Sequence, residues 1–164
     1  PVMLPLTHPL ASVCDAFNAV YVESEAAGQL MFYGRGAGGA PTASAILGDL
    51  VAVTRHRAYS TVGYGESDYA DLDIAQLGDV KSQFLIRLWV ADKSGVLASI
   101  ATVFAKQGVS IQGVRQSGMG LDAELIVVTH AATEDDLDAT VEALKAMDIV
   151  KNVESVIRVE GVGA

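Results

Sequence analysis

Two glycine-bearing turns hold the residues best placed for binding chemistry. The first runs from Asp92 to Leu97: Asp92, Lys93, Ser94 and Gly95 follow an alternating apolar stretch, and Val96 and Leu97 open a helical pattern. A helix N-terminus presents N–H donors without partners and the positive end of a dipole, which favours a carboxylate, while Asp92 offers a negative group to an ammonium. Those two ends together match a free amino acid. Gly95 lets the backbone come close, so a side chain there is expected to intrude on the ligand. The alternative is a loop that merely joins strand to helix.

The second turn spans residues 34–39. Gly34, Gly36, Gly38 and Gly39, with Ala37 between them, strip bulk from a tight turn, and Pro41 then starts a helix whose free N–H groups point at the same place. Such a turn suits the edge of a planar cofactor or a substrate. Glycine content alone fits a plain connection at least as well, with Thr42 and Ser44 serving the first helical turn. Other reactive side chains are scattered. The single cysteine, Cys14, has no disulfide partner and no zinc-ligand neighbours. His56 and His130 lack partners at metal spacing, and Arg115 serves a carboxylate or the surface. Neither a catalytic set nor a metal site is expected.

The elements around these turns follow from periodicity. Phe84, Ile86, Leu88 and Val90 alternate with Leu85, Arg87, Trp89 and Ala91, the period of a strand with one face in a core. Val96, Leu97, Ile100, Val103 and Phe104 recur at helical spacing until Gly108. Strands are expected over 110–116 and 123–131, joined by a turn on Gly118 and Gly120. The apolar segment Leu125–Val128 places the later strand centrally. Thr133 caps a second helix whose first turn carries Glu134, Asp135 and Asp136 and whose buried stripe is Leu137, Val141 and Leu144. A last strand covers 153–159. The order βαββαβ folds into a four-stranded antiparallel sheet with both helices on one face. The other face, with Leu85 and Trp89, is too apolar to be left in water; a partner copy or the first domain of the same chain would cover it, and a homo-oligomer is expected.

Upstream, strands are expected over 18–23 and 29–33 and a helix from Pro41 to about Val53. A strap without period, 55–82, contains Arg55, His56, Arg57, Tyr59, Tyr64 and Tyr69. The expected organisation is thus 1–54, a strap over 55–82, and a second domain over 83–164. The net charge of −9 (11 Lys+Arg against 20 Asp+Glu) argues against a nucleic-acid partner. No apolar run approaches the roughly 18 residues of a membrane span, and a cytoplasmic location is expected. Because the chain opens on Pro1, it is read as processed or as a piece of something longer.

The stretch VADKSGVLASIATVFAKQGVSIQGVRQ, with AELIVVTH and SVIRVEG after it, resembles the ACT domain, an amino-acid-sensing module. HPLASV, NAV and QLMFYGRGAGGAPTASAILGDLVAV resemble the end of the catalytic portion of homoserine dehydrogenase. In this order they resemble the C-terminal part of a bacterial homoserine dehydrogenase with a regulatory tail. The resemblance implies an α+β chain: a C-terminal ferredoxin-like βαββαβ ACT domain behind a strand/helix segment of the dehydrogenase. It also implies, for the intact enzyme, NAD(P)-dependent interconversion of homoserine and aspartate semialdehyde on the route to threonine and methionine.

By the same resemblance, Gly36, Ala37, Gly38 and Gly39 lie against the cofactor. The effector set is Asp92, Lys93, Ser94, Gly95, Val96 and Leu97, completed by Ser110, Ile111 and Gln112 of a neighbouring copy. L-threonine or another small amino acid is the implied effector, acting by feedback inhibition. The family commonly has proline where Ser94 stands, which leaves this loop less rigid. A dinucleotide fingerprint and the family's catalytic lysine are absent from these residues, so the piece alone is expected to be inactive and to hold no cofactor. The competing reading is a tail that only joins subunits, with no effector.

Overall fold

The computed structural model describes residues 1–60, 72–118 and 120–160. It divides into two compact units: Leu6–Leu72, termed the hairpin unit, and Pro1–Pro5 together with Asp73–Ala164, termed the sheet unit. The first five residues, grouped with 1–54 on sequence grounds, therefore fall with the sheet unit. The middle of the expected strap, with Tyr64 and Tyr69, lies outside the described residues. In chain order the elements are β1 (Val2–Met3), β2 (Phe17–Ser24), β3 (Gly28–Arg35), α1 (Gly39–Tyr59), β4 (Lys81–Ala91), α2 (Val96–Lys106), β5 (Ile111–Ser117), β6 (Asp122–Thr129), β7 (Ala132–Thr133), α3 (Glu134–Lys145) and β8 (Val150–Val159).

In the hairpin unit β2 and β3 pair antiparallel from Phe17↔Arg35 to Ser24↔Gly28. The helix α1 is longer at both ends than the expected Pro41 to Val53. Pro41 is its third residue, which is tolerated because first-turn N–H groups have no intrahelical acceptor to lose. At the other end Arg55, His56 and Arg57, assigned to the strap from their lack of period, continue the helix. Cations suit its negative end, and Ser60 (φ 48°) closes it with its N–H on the His56 carbonyl. No residue of α1 is buried, and Ile46, Leu47, Leu50, Val51 and Val53 are all exposed.

The sheet unit has the order β1-β8-β4-β6-β5, antiparallel throughout except where β1 joins β8 in parallel. The two-residue β7 pairs with the start of β4. The expected βαββαβ layout is observed, with β6 central, and β1 and β7 are additions that periodicity cannot reveal in two residues. Phe84, Ile86, Leu88 and Val90 of β4 meet Val96, Ile100 and Phe104 of α2, Leu125 and Val127 of β6, and Leu137, Val141 and Leu144 of α3 in one core. Full burial of each such side chain contributes roughly 1.5–3 kcal/mol. Thr133 caps α3 as expected, its Oγ1 accepting from the Asp136 N–H at 3.2 Å.

The face of this sheet away from the core carries Leu85, Trp89, Ile126, Val128 and Ile157, half-buried apart from Trp89 at 38% exposure. The Arg87–Glu124 ion pair lies on the same face.

Candidate functional site

The loop after β4 is built by three backbone hydrogen bonds. The Asp92 N–H reaches the Leu121 carbonyl (3.0 Å), the Lys93 N–H turns back on Ala91 (3.1 Å), and the Val96 N–H meets Lys93 O at 3.4 Å. Gly95 is the residue before α2 and has φ 89°, in the left-handed region where an L side chain is strained. No side chain caps α2. The Leu97 and Ala98 N–H groups have no acceptor among the described residues, since the first intrahelical bond is Ser99 N–H to Gly95 O at 3.0 Å. Asp92, Lys93, Ser94, Gly95 and Leu97 are exposed, whereas Val96 is buried. The side chain of Val96 is therefore an anchor in the core, leaving only its backbone to the loop.

The Asp92 carboxylate has one partner that periodicity could not reveal: Gln116, whose Nε2 donates to Asp92 Oδ1 at 3.4 Å. Gln116 stands on β5, which runs parallel to β4 because both pair antiparallel with β6. Its approach to Asp92 is a product of sheet order, invisible at a separation of 24 residues. An acid, an amide and two free backbone donors thus share one end of the sheet unit.

Ser110, Ile111 and Gln112 lie at the other end. They precede or open β5, across the 11-residue α2 from the Asp92 loop, a distance of roughly 16 Å at 1.5 Å per residue. Within one chain these two parts of the expected effector set do not meet. Gln112 sits at an irregularity of the β5–β6 ladder between Ile111 and Gly113 and is exposed. Such a bulge turns a side chain away from the ladder. Ser110 and Ile111 line an open groove of about 420 Å³ with Ala101, Phe104, Ala105, Gly108 and Val109.

In the hairpin unit the turn between β3 and α1 departs from side-chain chemistry altogether. The Gly36 N–H donates to Ala16 O at 3.3 Å, and the Asn18 side chain occupies the space that a Cβ on Gly36 would need. Gly38 (φ 139°) precedes α1 with no side-chain cap, and Gly39 has open space where a Cβ would stand. Thr42 donates its N–H to Gly38 O at 3.1 Å, so the Gly39 and Ala40 N–H groups have no acceptor among the described residues, and Pro41 has no N–H. The turn over Gly36, Ala37, Gly38 and Gly39 thus offers main chain, with no side chain capping the helix that follows.

Nearby, Phe17 stacks on Tyr33 (4.8 Å, 3°) and the Arg35 guanidinium lies 4.7 Å over Phe17. His8 caps the single turn Pro9–Ser12 through Nδ1 (3.2 Å from Leu10 N) and meets Tyr21 edge to face. Partial burial, and then the adjacent Glu23 carboxylate and its hydrogen bond, hold the Tyr21 phenol above the usual tyrosine range. Cys14, His56, Arg115 and His130 are exposed. Among the described residues no three His, Cys, Asp or Glu side chains are placed to hold a metal ion, and no helix is long and apolar enough to cross a membrane.

Residues 1–51 match the family model for homoserine dehydrogenase, and residues 84–148 match that for the ACT domain. Homoserine dehydrogenase of Corynebacterium glutamicum is 53% identical over 160 residues, covering 98% of this chain and 36% of the relative. That of Mycobacterium tuberculosis is 52% identical over 169 residues, covering 99% and 38%. The crystal structure of a homoserine dehydrogenase from Thiobacillus denitrificans superposes with a TM-score of 0.84 at 32% identity, over 99% of this chain and 38% of that one. The chain therefore spans little more than a third of the length of the curated relatives it matches. With a dehydrogenase segment, an ACT domain and whole-chain similarity in agreement, the chain belongs to the homoserine dehydrogenase family.

Proposed function

We propose that this chain is the C-terminal part of a homoserine dehydrogenase and that its sheet unit senses an amino acid, L-threonine first among the candidates, to lower the activity of the intact enzyme. The observation that carries this reading is the loop after β4. The Asp92 carboxylate belongs to the same short loop that leads into the free N–H groups of Leu97 and Ala98, a combination that suits the ammonium and the carboxylate of one amino acid. The space beside Gly95 is open, with no other group where a Cβ would stand. Ser110, Ile111 and Gln112 of a second copy would close the pocket, since those of the same chain lie at the far end of the unit.

In the intact enzyme the hairpin unit contributes backbone to the cofactor site. When bound, NAD(P) supplies or accepts the hydride that interconverts homoserine and aspartate semialdehyde. Gly36, Ala37, Gly38 and Gly39 would orient it through main-chain contacts, and residues outside this chain would hold the substrate and move the proton. The piece by itself would be inactive and would bind no cofactor.

One observation favours a second reading, in which the sheet unit only joins subunits: the apolar face of Leu85, Trp89, Ile126, Val128 and Ile157. Assay of the intact dehydrogenase with and without L-threonine, in parallel with sedimentation, separates the two. The sensor reading expects saturable inhibition that is lost on truncation at Lys81. The assembly reading expects no effect of threonine and dissociation on the same truncation.

A further inference from the structure

Strand β1 belongs by sequence to the dehydrogenase match of residues 1–51, yet by structure to the sheet unit. It lies along the outer edge of β8 with Val2 opposite Arg158 and Met3 opposite Val159, and the Glu160 N–H donates to the Met3 carbonyl at 3.0 Å. The chain then leaves through Leu4 and Pro5, both half-buried, into the hairpin unit. A dehydrogenase segment is thus woven into the sheet before the chain reaches the strands of the ACT match.

The junction is tied further inward. The Glu160 carboxylate accepts from Ser82 Oγ at 2.6 Å, and Ser82 is a buried residue near the start of β4. Beside it Arg158 pairs with Glu134 in the first turn of α3, both partly buried, and Ala132 pairs with Ser82. From Ser82, β4 runs between β6 and β8 to Ala91, whose neighbour Asp92 is the acid of the candidate effector loop. Because β4 is hydrogen-bonded to β6 on one side and β8 on the other, contiguous contacts run from the Asp92 loop to Ser82, Glu160 and Met3.

We propose that β1 is a clasp through which the dehydrogenase portion is held to the sensor sheet, and that effector occupancy is read through this clasp. The proposal rests on the amino-acid-sensing reading above. It predicts that the clasp, as well as the connection through residues 72–80, carries the response.

The test uses the intact dehydrogenase in a Cys14→Ser background. Glu160→Pro removes both the N–H given to Met3 and the acceptor used by Ser82, at a strand end where proline is tolerated; Glu160→Gln retains a donor and an acceptor. The expected result is that Glu160→Pro keeps its basal turnover and binds L-threonine within about threefold of the parent by calorimetry, while the concentration for half-inhibition rises by about tenfold or more. Glu160→Gln should behave as the parent.

A disulfide between Met3→Cys and Val159→Cys, added to Glu160→Pro, should restore inhibition on oxidation and lose it on reduction. Parent-like inhibition in Glu160→Pro overturns the clasp, as does an oxidised cross-link that leaves inhibition lost while threonine still binds. Failure of the parent enzyme to bind or respond to threonine would instead remove the sensing reading, and the clasp with it.

Discussion

The two glycine turns are alike in outline and different in company. Each follows a strand, each places a glycine with positive φ before a helix, and neither helix has a side-chain cap. Around Asp92–Leu97 the chain supplies its own wall: every buried residue among those described lies between Ser82 and Val150. Around Gly36–Gly39 it supplies none, for α1 and both strands of the hairpin unit have no buried residue. The apolar face formed by Val20, Val22, Leu30 and Phe32 is open. The comparison teaches that a strand–glycine–helix turn becomes a site only with the surfaces packed behind and across from it. The sheet unit brings most of these itself, whereas β2, β3 and α1 of the hairpin unit bury no residue that could serve as such a wall.

Core deletion should break the comparison most visibly. Phe104→Ala, at a fully buried position, is expected to cost about 3–5 kcal/mol in denaturant unfolding of the sheet unit. Phe32→Ala, at 65% exposure, should change the stability of this chain by no more than about 0.5 kcal/mol. In the intact dehydrogenase the same Phe32 change should cost several times as much, because that face is then covered. Equal, small effects in both settings would show that the hairpin face stays open.

At the effector loop, Asp92→Asn should weaken L-threonine binding by roughly 1.5–3 kcal/mol, the net worth of a hydrogen bond to a charged group. The exposed position should leave the melting temperature unchanged. Gly95→Ala should cost about 1–2 kcal/mol through its left-handed backbone alone, and Gly95→Glu should lose more binding than Gly95→Ala because it adds a carboxylate beside the ligand's own. Unchanged affinity in both would take the loop out of the site.

Smaller effects are expected from supporting residues. Thr133→Ala removes the cap of α3 and should lower stability by about 1 kcal/mol without altering threonine affinity. Gln116→Ala removes the neutral partner of Asp92 and should weaken binding by about 0.5–1 kcal/mol, a change that calorimetry resolves.

Most of the sheet unit was legible from periodicity because its strands and helices each bury one face of a single core. Alternation located β4, and the cap and acids at Thr133–Asp136 located α3. Other features were not legible, each for a physical reason. Strand β1 is two residues long and is defined by a partner 156 residues away. The length of α1 was hidden because a helix apolar on several sides and ending in basic residues shows no clean stripe. Gln116 enters the loop through strand order, not through spacing. The glycine turns themselves were legible as turns, but whether each could be a site depended on burial around it, which no local pattern reports.

Calorimetric titration of this chain with L-threonine, at a concentration where sedimentation shows associated copies, tests the sensing claim most directly. The account predicts a saturable heat at millimolar ligand or below that disappears in Gly95→Glu. No heat and no shift in melting temperature at high millimolar threonine, in a chain shown to be associated, would contradict it.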